Sequence, residues 1–324
     1  MKKTIELIFQ QQEFIENPPV LIDIGASGAL NKDWKLFAKY CICIAFDADN
    51  REMQYIVKET SNFKKLYVFN SIVSDSEGEH QNFYLTKSPY CSSLLKPDTE
   101  NLDDYIFSAS FEVDSEISLK NTNISKVLAT LNINYIDWFK TDSQGTDLRL
   151  FKSVDSQVIN NTLVADFEPG IIKAYTGEDK LFNVLSFMDS LNFWVSNAEI
   201  KTTYRIKSEI FRNKLSKNRK KLISLVSSPA PGWCEITYFN DFKIKSVQSK
   251  RNIMLGWIFA MSKKQFGFAL ELADLGTKIY GDGIFLQLEE ETLRNISFTN
   301  ISLKKVITLA YYKVMRTFNF NSNS

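Results

Sequence analysis

Five short apolar runs each end in small or acidic residues, and those endings are where the chemistry of this sequence sits. The first run is closed by Asp23-Ile24-Gly25-Ala26-Ser27-Gly28 and the second by Asp47-Ala48-Asp49. The third ends in Asn70-Ser71, the fourth in Asp142-Ser143-Gln144-Gly145, and the fifth in Glu168-Pro169. Glycines at 25 and 28 let the backbone turn tightly and lie against a ligand. They do not make a dinucleotide fingerprint. Counting from Gly25, the other two glycines of that pattern fall on Ser27 and Leu30, so a pyrophosphate is poorly served. A nucleoside without phosphates remains, as does a purely structural turn. An acid after the second run can accept hydrogen bonds from both hydroxyls of a ribose. Asp47 stands there, 24 residues after Asp23, and Asp49 competes with it. Asp142 and Glu168 can serve together as general base, metal pair or clamp for hydroxyl groups. Alternatively, Asp142 or Ser143 caps the helix that follows. The one histidine, His80, lies in a polar stretch and reads as part of a solvated turn.

The elements that must position these groups read as a parallel α/β sheet. Apolar runs at 20–24, 41–46 and 65–70 are strands, and 31–40 and 50–60 read as helices, with Asn31 as an N-cap. The rhythm breaks at 81–86 and 112–120, which alternate like antiparallel strands around a polar insert at 88–110. It resumes with a helix over 123–131, a strand over 135–141, a helix over 146–152 and a strand over 162–167. A helix over 177–191, a short strand over 193–195 and a closing hairpin strand over 233–239 follow. Ligands bind such sheets beyond the carboxyl ends of the strands, where the strand order reverses.

Composition sets the class. Hydrophobic residues at 44% and charged ones at 24% allow one sizeable core in a chain of 324 residues. Lys and Arg number 18 against 29 Asp and Glu in residues 1–200, and 21 against 9 beyond, so the two regions have opposite surfaces. The division expected is a domain over 1–245 and a small basic helical extension over 246–324, with helices at 252–262, 266–275 and 303–317. Its charge suits an anionic partner or simply complements the acidic body. Residues 214–221 hold five basic side chains without interleaved aromatics, which reads as a solvated helix face rather than a nucleic-acid site. Cys41, Cys43, Cys91 and Cys234 have neither zinc nor disulfide spacing. With no signal-like or spanning apolar segment, the expected compartment is the cytoplasm.

In this order these residues resemble the FkbM family of methyltransferases. The matching pieces are VLIDIGASG at 20–28, IAFDAD at 44–49, YVFNSIVS at 67–74, SSL at 92–94 and IDWFKTDSQGTD at 136–147. In the last piece, Asp142, Gly145 and Asp147 meet the family's pattern of an aspartate, a glycine three residues on, and an acid two beyond. Aspartate at 147 stands where the family often has glutamate. Phe167-Glu168 with Tyr175 and Gly177 also fits, so the similarity covers roughly 18–200. It implies a doubly wound, mostly parallel seven-stranded sheet and S-adenosylmethionine as cofactor. The cofactor would be held by Asp23, Gly25, Ala26, Ser27, Gly28, Asp47, Ala48, Asn70, Ser71 and Asp142. It also implies O-methylation of a sugar, a glycan or a related small molecule; an alcohol acceptor must lose its proton, and Asp142 and Glu168 are the candidate catalytic groups for that. The alternative is a non-catalytic module of the same fold in glycan processing. Asn17-Pro18-Pro19 looks like the motif of methyltransferases acting on nucleic-acid amino groups, but it precedes the first strand instead of following the fourth.

Overall fold

The computed structural model describes residues 1–26, 31–49, 51, 60–75 and 80–297. Strands β1 (Val20–Ile24), β2 (Ile42–Phe46), β3 (Lys65–Phe69), β4 (Ile72–Val73), β5 (His80–Thr86) and β6 (Val113–Thr122) come first. They are followed by β7 (Trp138–Thr141), β8 (Val164–Phe167), β9 (Phe193–Thr203) and β10 (Ala230–Asn240). Seven of them form one sheet in the order β3-β2-β1-β7-β8-β10-β9. Neighbours from β3 to β8 run parallel, while β10 is antiparallel to both β8 and β9. The architecture is therefore a Rossmann-like α/β fold whose strand order reverses between β1 and β7. A second sheet, β4-β6-β5, carries the antiparallel pair expected from the alternating segments.

The apolar runs become strands because both faces of the central sheet are covered. On one face Ile22, Ile24, Phe46, Phe139, Phe167 and Ile236 belong to one buried cluster with Val127 and Val184. On the other, Trp34 and Phe37 pack their rings about Trp138 at 6.0 and 6.1 Å. Residues 31–40 are not the regular helix expected. Asn31 accepts a side-chain bond from the Asp33 amide, which turns the chain at once. Bonds of the i+3 type follow, Trp34 to Asn31 and Phe37 to Trp34, and only Ala38–Tyr40 forms a short 3-10 turn. This tighter winding lets both rings reach the sheet within a short connection.

Elsewhere the differences are in length. The expected helix over 177–191 is Leu181–Asp189, because residues 170–180 run as an irregular strap. The strand expected over 193–195 extends to Thr203, since β10 pairs with it along its whole length. Helices Ser208–Asn213 and Lys217–Val226 lie between those two strands. The helix expected over 303–317 lies outside the described residues, as does most of that over 50–60.

The chain divides into two compact units, Phe9–Asn252 and the first eight residues together with those from Ile253 onward. In the latter, Gly276 of helix Phe266–Tyr280 lies so close to the Phe285 ring that a Cβ would meet it at 2.2 Å. Gly281 (φ +60°) ends that helix, and Asp282 caps the next, Gly283–Asn295, which the sequence reading missed. Within the larger unit, Arg251 grips buried Asp137 through both terminal nitrogens at 2.8 and 2.7 Å. Asp137 also accepts from the Val20 amide, so this pair ties the start of β1 to the chain entering β7. Removing one partner of such a pair leaves a charge stranded. Arg251→Met should cost about 3–5 kcal/mol of unfolding free energy by urea titration. A cost under about 1 kcal/mol would show the pair to be surface-like.

Candidate functional site

At the reversal point the ends of three strands meet. The amides of Gly25 and Ala26 both donate to the Phe46 carbonyl, and the Asp142 amide donates to Ile24. Gly25 has φ +71°, and a Cβ there would lie 2.1 Å from the Asp142 carbonyl oxygen, so no other residue fits without moving the turn. Ser27 and Gly28 lie outside the described residues. A cleft opens here, lined by Gly25, Asp47, Ala48, Ser71, Asp142 and, from the polar insert, Ser92.

Asp47 and Asp49 have different fates. Asp49 is buried and held by Arg51, whose Nε lies 2.9 Å from Oδ1 and whose Nη2 lies 2.5 Å from Oδ2. Burial pushes its carboxyl up, but the hydrogen bonds and charge of Arg51 prevail and hold it below the usual range. Ser92 also donates to Asp49, which ties the polar insert to the end of β2. Asp47 accepts from the Asp49 amide, and Asn70 braces it by donating to its carbonyl. Ser71 Oγ lines the same cleft, buried and with no hydrogen-bond partner among the described residues. A carboxylate, an unsatisfied hydroxyl and a turn without side chain suit a ligand rich in hydroxyls that lies flat against the backbone.

The turn after β7 is held from outside. Gln144 (φ +57°) donates from Nε2 to Asp142 Oδ1 at 2.5 Å and accepts at Oε1 from the Tyr175 hydroxyl, 2.9 Å away. Ser93 donates to the Gln144 carbonyl. Asp147 is fully buried and accepts from Thr141 Oγ1 and from the amide and hydroxyl of Ser143. Burial pushes its carboxyl up to about 6, against the Ser143 amide that favours the charge. Asp147 thus shapes the turn, Ser143 holds Thr146, and the Asp142 carboxylate is not used as a helix cap.

Asp142, Gln144 and Tyr90 also line a second cavity of about 690 Å³, a size that suits a small molecule. Its acidic lining adds Glu168, Glu178 and Glu235, and its aromatic lining includes Phe107, Phe111 and Trp233. Phe107 meets Trp233 edge-on at 6.4 Å and Phe111 at 5.3 Å. Lys180 neutralises Glu178 at 2.9 Å, and Lys201 approaches Glu235 at 3.1 Å. Among the described residues Glu168 has no hydrogen-bond or ion-pair partner. Burial, then the charges of Asp142 and Glu235, push it up to about 9. Burial also raises Asp142, against the attraction of Lys140. Lys140 itself pairs with Asp23 at 2.6 Å across β1 and β7. Asp23 is thus drawn into the sheet and lines neither cavity, and Ala26 is likewise buried away from both. Thr203 Oγ1 and Trp233 Nε1, on residues lining the second cavity, are buried without partners among the described residues.

Of the residues singled out from the sequence, Gly25, Asp47, Ala48, Ser71 and Asp142 come together at one cleft, and Glu168 joins Asp142 in the adjoining cavity. Asn70 acts from behind Asp47, and exposed His80 opens β5. Sequence reading missed Glu178, Glu235, Thr203 and the aromatic wall. Alternation along β10 was the available signal, because Trp233 and Glu235 fall opposite the core-facing Cys234 and Ile236. Among the described residues, no three acidic, His or Cys side chains are grouped as metal ligands. No protein-family model matches the chain, and no curated protein matches it.

Glu168 gives a linkage test. Its folded-state value lies above that of an unfolded glutamate, so its contribution is full below about 4.3 and is lost as pH rises towards 9. Glu168→Gln should therefore gain stability over the wild type as pH rises from about 5 to 8, by at least about 1 kcal/mol at the upper end. Denaturant titrations at both ends of that window measure it, and a pH-independent difference would mean the carboxyl ionises freely.

Proposed function

We propose that this chain is a class I S-adenosylmethionine-dependent methyltransferase that methylates a hydroxyl of a sugar, a glycan or a related small molecule. One observation carries the reading. A cleft built by Gly25, Asp47 and Ser71 at the reversal point shares Asp142 with a roomier cavity walled by carboxylates and aromatic rings. The strand order adds support. A dinucleotide-binding sheet of the usual kind is parallel in the order 3-2-1-4-5-6. Here a reversed strand, β10, is inserted between the fifth and sixth strands of the main sheet. That arrangement agrees with the FkbM resemblance, in which the C-terminal helices are an appendage.

In this reading Asp47 accepts from the ribose hydroxyls, Ser71 supplies a further polar contact, and Gly25 lets the backbone lie against the cofactor. The cofactor supplies an electrophilic methyl group on a positively charged sulfur. The protein's task is then mainly alignment of the acceptor oxygen. The acceptor's proton must also leave, and Asp142, oriented by Gln144 and Tyr175, is the group placed to take it. Glu168, protonated at neutral pH by its surroundings, donates a hydrogen bond to the acceptor. A positive charge held in the cleft would favour the ionised form of Asp142, which increases the fraction of this carboxyl able to accept the proton.

Calorimetric titration with S-adenosylmethionine, S-adenosylhomocysteine and NAD tests the cofactor. Selective binding of the two adenosyl-sulfur ligands is expected, and preference for NAD, or no binding at all, would sink the reading. Asp47→Asn should weaken that binding by about 1–3 kcal/mol, the scale of a lost hydrogen bond to a charged group. Unchanged affinity would remove Asp47 from the ribose.

A further inference from the structure

The two helices between β9 and β10 differ from the other described α-helices of the larger unit. Neither Ser208–Asn213 nor Lys217–Val226 buries a single residue. Residues 207–226 carry seven Lys and Arg against one acid, Glu209. A solvated helix would pair such charge with polar neighbours, but here Leu222, Leu225 and Val226 stand beside it. They are spaced i, i+3 and i+4, which makes one stripe. The stripe faces outward: Leu225 is 79% exposed, Val226 78% and Leu222 50%, while Ile223 and Lys220 are the half-buried positions. Ile210 on the first helix is also exposed.

The hairpin is nevertheless held in place. Lys220 donates to the Arg212 carbonyl, which joins the two helices, and lies 5.5 Å over the Phe211 ring. The Tyr204 hydroxyl donates to the Ser224 carbonyl at 2.9 Å, and the Ser208 amide donates to Asp103. Tyr204 also lines the carboxylate cavity. An ordered helix that turns its apolar stripe to water amid cationic side chains has the two attractions needed at a lipid interface. Apolar side chains enter the acyl boundary, and Lys and Arg meet anionic headgroups. A nucleic-acid face needs the charge but has no use for exposed leucine and valine, and the one ring present is covered by Lys220.

We propose that the helical hairpin over 208–226 docks this protein on an anionic lipid surface, with the mouth of the carboxylate cavity beside it. Charge complementarity selects an anionic leaflet, and the Leu222, Leu225 and Val226 stripe provides the insertion. No helix among the described residues is long and apolar enough to cross a membrane, so this contact is peripheral.

The test is co-sedimentation of the full chain with vesicles of phosphatidylcholine alone, or of phosphatidylcholine with about one third phosphatidylglycerol. Binding to the anionic vesicles only is expected, weakening as salt rises. A triple variant, Leu222→Ser with Leu225→Ser and Val226→Ser, should lose at least about tenfold in partitioning while its thermal unfolding stays unchanged. Lys217→Gln with Arg219→Gln, Lys220→Gln and Lys221→Gln should lose as much. Absence of wild-type binding to anionic vesicles at low salt would overturn the proposal, as would equal partitioning of the apolar triple variant. Binding of a single-stranded RNA oligonucleotide that ignores the apolar triple variant, with no vesicle binding, would assign the face to nucleic acid instead. Partitioning is scored without turnover or cofactor, so it succeeds or fails independently of the methyltransferase reading.

Discussion

The contact on which the site depends is the approach of the backbone at Gly25 to the carbonyl of Asp142. A side chain at position 25 would occupy the place of that oxygen. Because the position is bare and left-handed, the turn after β1 can bond to the end of β2 while the turn after β7 bonds to the end of β1. Three strand ends are thereby fixed to one another. Asp47 then sits on one side of the fusion and Asp142 on the other, each held by an amide side chain, Asn70 and Gln144 respectively.

Around this rigid joint the protein gathers carboxyl groups faster than it gathers cations. Arg51 satisfies Asp49, Lys180 satisfies Glu178, and Lys140 is drawn to Asp23. Asp142 and Glu168 are left in a half-buried, negative environment that opposes their ionisation. Groups held away from their ordinary protonation make this cavity a candidate site, since a core built for stability alone would replace them with apolar residues. The aromatic wall of the cavity is the complementary half, with its rings providing apolar area beside those carboxyls.

Much of the frame can be read from local sequence. Apolar runs closed by Asp23, Asp47 and Asp142 mark parallel strands, and alternation over 81–86 and 112–120 marks an antiparallel pair. Asn123 and Thr146 stand at helix starts. The segment over 31–40 defeats such reading, because its apolar spacing suits a helix while an Asx turn at Asn31 and the demand that Trp34 and Phe37 reach Trp138 wind it more tightly. The full length of β9 is equally invisible, since its outer residues are polar and only pairing with β10 makes them a strand.

By itself, then, the sequence determined which residues end the strands, because the period of apolar residues and the chemistry of turns act over a few positions. Tertiary structure alone decided which of those residues share a site. The bonds that settle it join positions far apart in the chain: Ser92 to Asp49, Ser93 to the Gln144 carbonyl, Tyr175 to Gln144, and Lys140 to Asp23. Tertiary structure likewise decided that the stripe of Leu222, Leu225 and Val226 faces water, for the same spacing would serve a helix turned inward. Orientation of a helix, and the field felt by a carboxyl, are sums over neighbours that only the folded chain supplies.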